Sequence, residues 1–350
     1  MAQMTAIPVT EYGAPTNLQT TRLPKPSPPQ GHDLLIQIKA CSVNPVDTKV
    51  RAGTYDDYPD YYTRTPSLPQ ILGYDAAGIV EAVGAQASAD FKEGDEVYYA
   101  GSPIRQGSNA EFQLVDARSV ALKPGGLSFA QAAAMPLTWI TAWEALVERM
   151  GIREGEEDAA LLIVNGSGGV GSVASQIARR VLKLPVVITT TSREETSRFS
   201  KDVGGATHTV NHREDIVKQV EDLKLHVPVR YVFITHTPTS GYLAPAAKIC
   251  APFGKVCSIV QDKNMPMYGT EFMAKSLTFA WALLGTKPYY GVDLETHGRI
   301  LKELTKYLED GTVKCHLTQT LKMDEDGLRK AHEIIEGGKA IGKVALEVPW

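Results

Sequence analysis

Residues 161–195 read LLIVNGSGGVGSVASQIARRVLKLPVVITTTSREE. An apolar run, LLIV, ends in four glycines within six residues. A segment with apolar residues at 170, 173, 174, 177, 178 and 181 follows, and that spacing predicts a helix. A second apolar run, PVVITTT, ends in Ser192 and Arg193. Gly166, Gly168 and Gly171 stand at G-x-G-x-x-G spacing, with Ser167, Gly169 and Val170 completing the loop. Between a strand and a helix, this spacing predicts a dinucleotide site. Glycine permits the tight turn and close backbone approach, and the helix start offers N–H groups to a pyrophosphate.

The second strand bears on which dinucleotide. An NAD site ends this strand in Asp or Glu, about 20 residues after the glycines, to hold the ribose 2′-hydroxyl. Here it ends in Thr189, Thr190, Thr191, Ser192 and Arg193. Hydroxyls and a guanidinium suit a 2′-phosphate that a carboxylate would repel. The expectation is NADPH, with Thr190, Ser192 and Arg193 as contacts. Glu194 and Glu195 follow directly and would serve a 2′-hydroxyl if Arg193 only opens the next helix.

Outward from this stretch the chain keeps one rhythm. ATHTVNH precedes REDIVKQVEDLK, VRYVFITHT precedes LAPAAKICAPFG, and KVCSIV follows. Strand-like and helix-like segments in alternation predict a doubly wound parallel sheet covered on both faces. Residues 1–130 differ. LLIQIKA, AAGIVEAVG, GDEVYYAG and AEFQLVD alternate apolar and polar between turn residues, which predicts a β-rich unit. The 350 residues allow two domains. A net charge of −4 argues against a nucleic-acid surface. Four scattered cysteines without a CxxC pair argue against a disulfide framework. With no signal-like start and no long apolar run, no membrane partner is expected and the cytoplasm is the expected compartment.

ACSVNPVDTKVRAG (40–53), ILGYDAAGIVEAVG (71–84), PLTWITAWEAL (136–146), TVNHRED (209–215), ICAPFGKVCSIV (249–260) and AIGKVALE (340–347), with the glycine loop, resemble the medium-chain dehydrogenase/reductases. Within them the chain is most similar to the zinc-free quinone oxidoreductases (the zeta-crystallin-like enzymes) and to the group labelled zinc-type alcohol dehydrogenase-like. The resemblance implies a Rossmann NADPH-binding domain, 129–286, inserted in a β-rich GroES-like catalytic domain, 1–128 and 287–350. It implies a homodimer, paired through an edge strand such as KVCSIVQ. It also places side chains. Asn44 would lie by the nicotinamide and the acceptor carbonyl, with Asp47 orienting that loop. Thr138 would meet the nicotinamide ribose or phosphate, Thr235 and His236 the loop over the nicotinamide, and Ile259 its carboxamide. Lys339 or Lys343 would reach back to the cofactor. Tyr55, Tyr74 and Trp281 would line the acceptor pocket, and Tyr55 would join Asn44 and Asp47 as a catalytic residue, its phenol able to protonate an enolate. His212 would stack on adenine, meet the 2′-phosphate, or stand as a surface histidine.

The expected metal is none. Zinc-dependent relatives carry a cysteine where this chain has Asn44 and a histidine where it has Tyr74, and they carry four cysteines near 95–115, where it has none. His208 and His212 are four residues apart, but on a strand end that separates them too widely to share an ion. Without a Lewis acid, oxidising a plain alcohol is difficult, whereas a quinone is already electrophilic. The expected function is therefore zinc-independent transfer of hydride from NADPH to a quinone. Its close alternative is reduction of the C=C bond of an α,β-unsaturated carbonyl, and a more distant one is a non-catalytic NADPH-binding protein.

Overall fold

The computed structural model describes residues 2–54, 61–266 and 271–349. The chain divides into two compact units. One comprises Met1–Leu137, Gly285–Gly311 and Cys315–Trp350, the other Thr138–Leu284 and Thr312–Lys314.

In the second unit, among the described residues, six strands form one parallel sheet. Its order is His208–Asn211, Val186–Thr191, Ala160–Val164, Val229–Ile234, Lys255–Ser258 and Thr278–Trp281. In order of appearance this is third, second, first, fourth, fifth, sixth, which is the Rossmann order. Every residue of Ala160–Val164 is buried, as a central parallel strand covered on both faces requires. Leu162, Val164, Ile188, Val232, Ile234 and Val256 join Leu243, Ala246 and Ala247 of the helix Thr239–Ile249 in one apolar cluster. The expected edge strand is corrected here. KVCSIVQ is interior, because Lys255–Ser258 pairs on both sides. The edge on that side, among the described residues, is Thr278–Trp281, where Trp281 is 45% exposed.

The first unit is built on a seven-stranded, mainly antiparallel sheet, counted among the described residues. Its centre is the long strand Asp33–Val43, flanked by Asp75–Val83, Phe112–Asp116 and Lys343–Glu347. Leu34, Ile36 and Ile38 face one apolar cluster, while Cys41 and Val43 belong to another with Val344 and Leu346.

The helix Glu325–Glu336 packs a fully buried histidine, His332, whose two ring nitrogens have no hydrogen-bond partner among the described residues. Burial, with the Arg51 guanidinium nearby, lowers its pKa to about 3. The unfolded chain therefore takes up a proton below about pH 6.5 that the folded chain refuses, so stability falls as pH drops through this window. Relative to His332→Leu, the native protein is expected to lose on the order of 3 kcal/mol between pH 7 and pH 4. Urea unfolding across that range checks it.

Candidate active site

Asn44 precedes Pro45, which favours the extended conformation it adopts (φ −125°, ψ 159°) and suits the first position of a helix. The helix Pro45–Ala52 then starts with Asn44 as its N-cap, and Gly53 ends it in the left-handed region. Asp47 folds back so that its carboxylate accepts the Asn44 N–H at 2.8 Å and the Gly73 N–H at 3.0 Å.

Sheet register supplies the rest. Cys41 pairs with Ala76, so Ser42 and Asp75 are neighbours across the strands, and Val43 pairs with Val344, so Asn44 and Lys343 are neighbours on the other side. Their side chains close a network. One Asp75 oxygen accepts from Ser42 Oγ (2.8 Å), Asn44 Nδ2 (2.7 Å) and Lys343 Nζ (3.2 Å), and its other oxygen accepts the Leu137 N–H (2.7 Å). Lys343 Nζ also donates to Asn44 Oδ1 (2.6 Å) and to the Val43 carbonyl (3.0 Å). Asn44, Asp47, Asp75 and Lys343 are each at most 3% exposed.

Asp75 and the Lys343 ammonium thus form an ion pair away from water, with the Asp47 carboxylate buried nearby. Burial pushes the Asp75 pKa up and the Lys343 pKa down, and their mutual attraction opposes both shifts. Burial also raises Asp47, to about 7, against the pull of its two backbone N–H groups and of Lys343. The Cys41 thiol is pushed up by burial and by both carboxylates, so it is a packed thiol rather than a nucleophile. Sequence reasoning named Asn44, Asp47 and Lys343 but missed Ser42 and Asp75. The available signal was that Asp75 opens a strand one residue after Tyr74. Tyr74 itself is buried in the apolar cluster with Leu72 and Val50, Lys339 is exposed beyond the helix Glu325–Glu336, and Tyr55 lies outside the described residues.

In the second unit, the expected cofactor residues follow the carboxyl ends of adjacent parallel strands, the edge at which dinucleotides bind such sheets. Gly166–Gly171 follows Ala160–Val164, and Ser192 and Arg193 follow Val186–Thr191. His212 follows His208–Asn211, Thr235 and His236 follow Val229–Ile234, and Ile259 follows Lys255–Ser258. The helix Gly169–Gln176 starts with no side-chain cap. A Cβ on Gly166 would stand 2.2 Å from Thr189 Cβ, and one on Gly171 would stand 2.1 Å from the Asn165 carbonyl oxygen. This close, uncapped turn fits a nicotinamide dinucleotide's pyrophosphate.

Thr190 has a different task from the one its position suggested. It is buried, and its hydroxyl accepts the Asn165 N–H at 2.9 Å, bracing the glycine loop from below. Arg193 is exposed at the N-cap of the helix Glu194–Asp202. The His212 and His236 rings stack with centroids 6.3 Å apart, and Tyr242 meets His236 edge-on. Thr235 Oγ1 donates to the Val164 carbonyl at 2.7 Å. Trp281 rests edge-on against Phe279 at the sheet edge, and Thr138 is buried in the helix Pro136–Trp143.

A Rossmann sheet with a glycine turn, together with a mainly antiparallel unit, defines a nicotinamide-dependent oxidoreductase of the medium-chain dehydrogenase/reductase family, and the chain belongs to that family. Residues 30–144 match the alcohol dehydrogenase GroES-like domain, and residues 204–346 match the family described as zinc-binding dehydrogenase. The chain is 38% identical to a zinc-type alcohol dehydrogenase-like protein of Staphylococcus epidermidis over 91% of its length and 92% of the relative's. It is 31% identical to human quinone oxidoreductase, over 98% of its length and 97% of the relative's. A mycobacterial protein solved in complex with NADPH superposes with a TM-score of 0.81 at 26% identity, covering 98% of this chain and 99% of that one.

The family names raise zinc, and the residues present do not fit it. A catalytic zinc takes three or so N, S or O ligands around a cation position. Here the acceptors Asn44 Oδ1, Asp75 Oδ2 and the Val43 carbonyl already surround an ammonium. A divalent ion would sit against a like charge. Among the described residues, no three His, Cys, Asp or Glu side chains gather to hold a metal. No helix among those residues is long and apolar enough to cross a membrane.

Proposed function

We propose that this chain is a zinc-independent, NADPH-dependent reductase of quinones. The observation that carries the reading is the Lys343 ammonium seated between Asn44 and Asp75, which leaves a site with a fixed positive charge and no ligand set for a Lewis acid. Bound at the glycine turn, NADPH supplies the hydride. The helix start at Gly169 and the loop Gly166–Gly168 hold the pyrophosphate through backbone N–H groups. Arg193 and Ser192 take the 2′-phosphate, the guanidinium bidentately. Asn44 donates an N–H to the carbonyl oxygen of the acceptor and so orients it. The 31% identity to human quinone oxidoreductase over nearly the whole chain supports the acceptor class.

The assembly we propose is a homodimer joined through the exposed edge Thr278–Trp281, where Trp281 and Leu283 present apolar surface. Light scattering of the purified chain and of Trp281→Glu tests it.

The functional test is loss of NADPH absorbance by chelator-treated protein with a small ortho- or para-quinone, run beside NADH and beside an enone. Turnover with NADPH and quinone, unchanged by chelator, is the expected result. Turnover with the enone alone moves the assignment to alkene reduction, and tight NADPH binding without turnover removes both. In the same assay, Arg193→Ala is expected to raise the KM for NADPH about tenfold, the worth of one or two charge-assisted hydrogen bonds, and to leave that for NADH unchanged.

A further inference from the structure

Asn44 has one amide oxygen and two amide hydrogens to place. Its oxygen lies 2.6 Å from the Lys343 ammonium, which can only donate, and its nitrogen lies 2.7 Å from the Asp75 carboxylate, which accepts. Flipping the amide would press N–H against an ammonium and oxygen against a carboxylate. The two charges therefore decide the orientation by chemistry, independently of how amide atoms are told apart. Both charges are themselves held. Lys343 is tied to the Val43 carbonyl, and Asp75 to Ser42 Oγ and the Leu137 N–H. The second amide hydrogen of Asn44 has only a long contact, 3.5 Å, to the Ser42 carbonyl.

We infer that Lys343 and Asp75 are positioning residues that fix Asn44 as a hydrogen-bond donor only, and so set the substrate class of the site as oxidised carbonyl acceptors rather than alcohols. This rests on the reading above that Asn44 meets the acceptor. A carbonyl oxygen takes the N–H that otherwise makes only the long contact to the Ser42 carbonyl. An alcohol must also give away its own proton, and the oxygen that could accept it is turned inward onto the ammonium. Lys343 acts through Asn44 and does not touch the substrate.

Two variants and one spectroscopic measurement test the inference. Lys343→Met removes the charge and keeps the length of the stem. It is expected to lower kcat about 100-fold with whichever acceptor the native enzyme reduces, as loss of a positioned oxyanion donor does, with the KM for NADPH unchanged. The double variant Lys343→Met/Asp75→Asn removes both members of the ion pair, and the loss of a whole pair is often neutral for stability. It is expected to regain the native unfolding temperature and to keep the low kcat. Recovery of kcat together with stability would reduce the pair to a structural role and overturn the inference. Nitrogen-15 spectra of the native enzyme read the amide directly. The Asn44 side-chain pair, assigned by its disappearance in Asn44→Asp, is expected to exchange slowly, and exchange at the rate of an exposed amide would also overturn it. If the native enzyme reduces neither quinone nor enone, the functional reading fails, while the exchange measurement still decides whether the Asn44 amide is held by its hydrogen bonds.

Discussion

Gly171→Ala is expected to abolish cofactor binding. The new Cβ would lie 2.1 Å from the Asn165 carbonyl oxygen, 2.9 Å from its carbon and 3.0 Å from Gly166 Cα. All three obstacles are backbone, so no side chain can rotate aside. Asn165 has little freedom to give way. It already stands at φ 65°, and its N–H is tied to Thr190 Oγ1, the side chain beneath the loop. Relief must come from moving the helix Gly169–Gln176 off the strand Ala160–Val164, and that displaces the N–H groups that would meet the pyrophosphate. Overpacking of this kind costs about 1–3 kcal/mol of stability. The expected loss in binding is larger, because the proposed anion contacts would depend on the same turn. NADPH titration followed by fluorescence is expected to show at least a hundredfold weaker binding. Gly125→Ala, where an added Cβ meets nothing within 4 Å, is the control. Native affinity in Gly171→Ala would show that the cofactor does not use this turn.

How much of this could be read in the sequence depends on the distance over which each feature is decided. The glycine turn is local, and so is the alternation of strands and helices, so the parallel sheet was legible from residues 159 to 260. The edge of that sheet was not. KVCSIVQ closes the visible rhythm, and it is displaced from the edge by Thr278–Trp281, a strand some twenty residues later whose position depends on the whole sheet. Thr190 shows a finer limit. Hydroxyls at a strand end read as phosphate ligands, but alternate side chains of a strand point to opposite faces. The pleat turns Thr190 toward Asn165 and leaves Ser192 and Arg193 beyond the strand end. The buried network is the extreme case. Asp75 and Lys343 are 268 residues apart, and only the register of two strand pairs on either side of Asp33–Val43 makes them partners. A resemblance could mark Asn44, Asp47 and Lys343 as positions, but not say that Asp75 is where their hydrogen bonds converge.

Asp75→Asn is expected to destabilise the protein by about 3 kcal/mol at pH 7, because breaking one half of a buried pair leaves the other charge uncompensated. The side chain keeps its shape and one acceptor oxygen, so little of the loss is packing. What remains is the Lys343 ammonium, 3% exposed, with two neutral oxygens and the more distant field of Asp47. The sign of the pH dependence follows. Burial already holds the folded pKa of Lys343 below its ordinary value, and removing the Asp75 charge, which opposes that shift, lowers it further. Between that folded value and about 10.4, the unfolded chain holds a proton that the folded chain has released. Stability rises with pH wherever the unfolded state binds more protons, and the variant enters that regime at a lower pH than the native protein, so its deficit shrinks as pH rises between the two folded values. Urea unfolding of both proteins at pH 7 and pH 9.5 measures this directly. A deficit that stays constant with pH would mean that Asp75 acts through its hydrogen bonds to Ser42, Asn44 and Leu137 alone. A deficit that narrows identifies the charge of the buried ion pair as what Asp75 contributes.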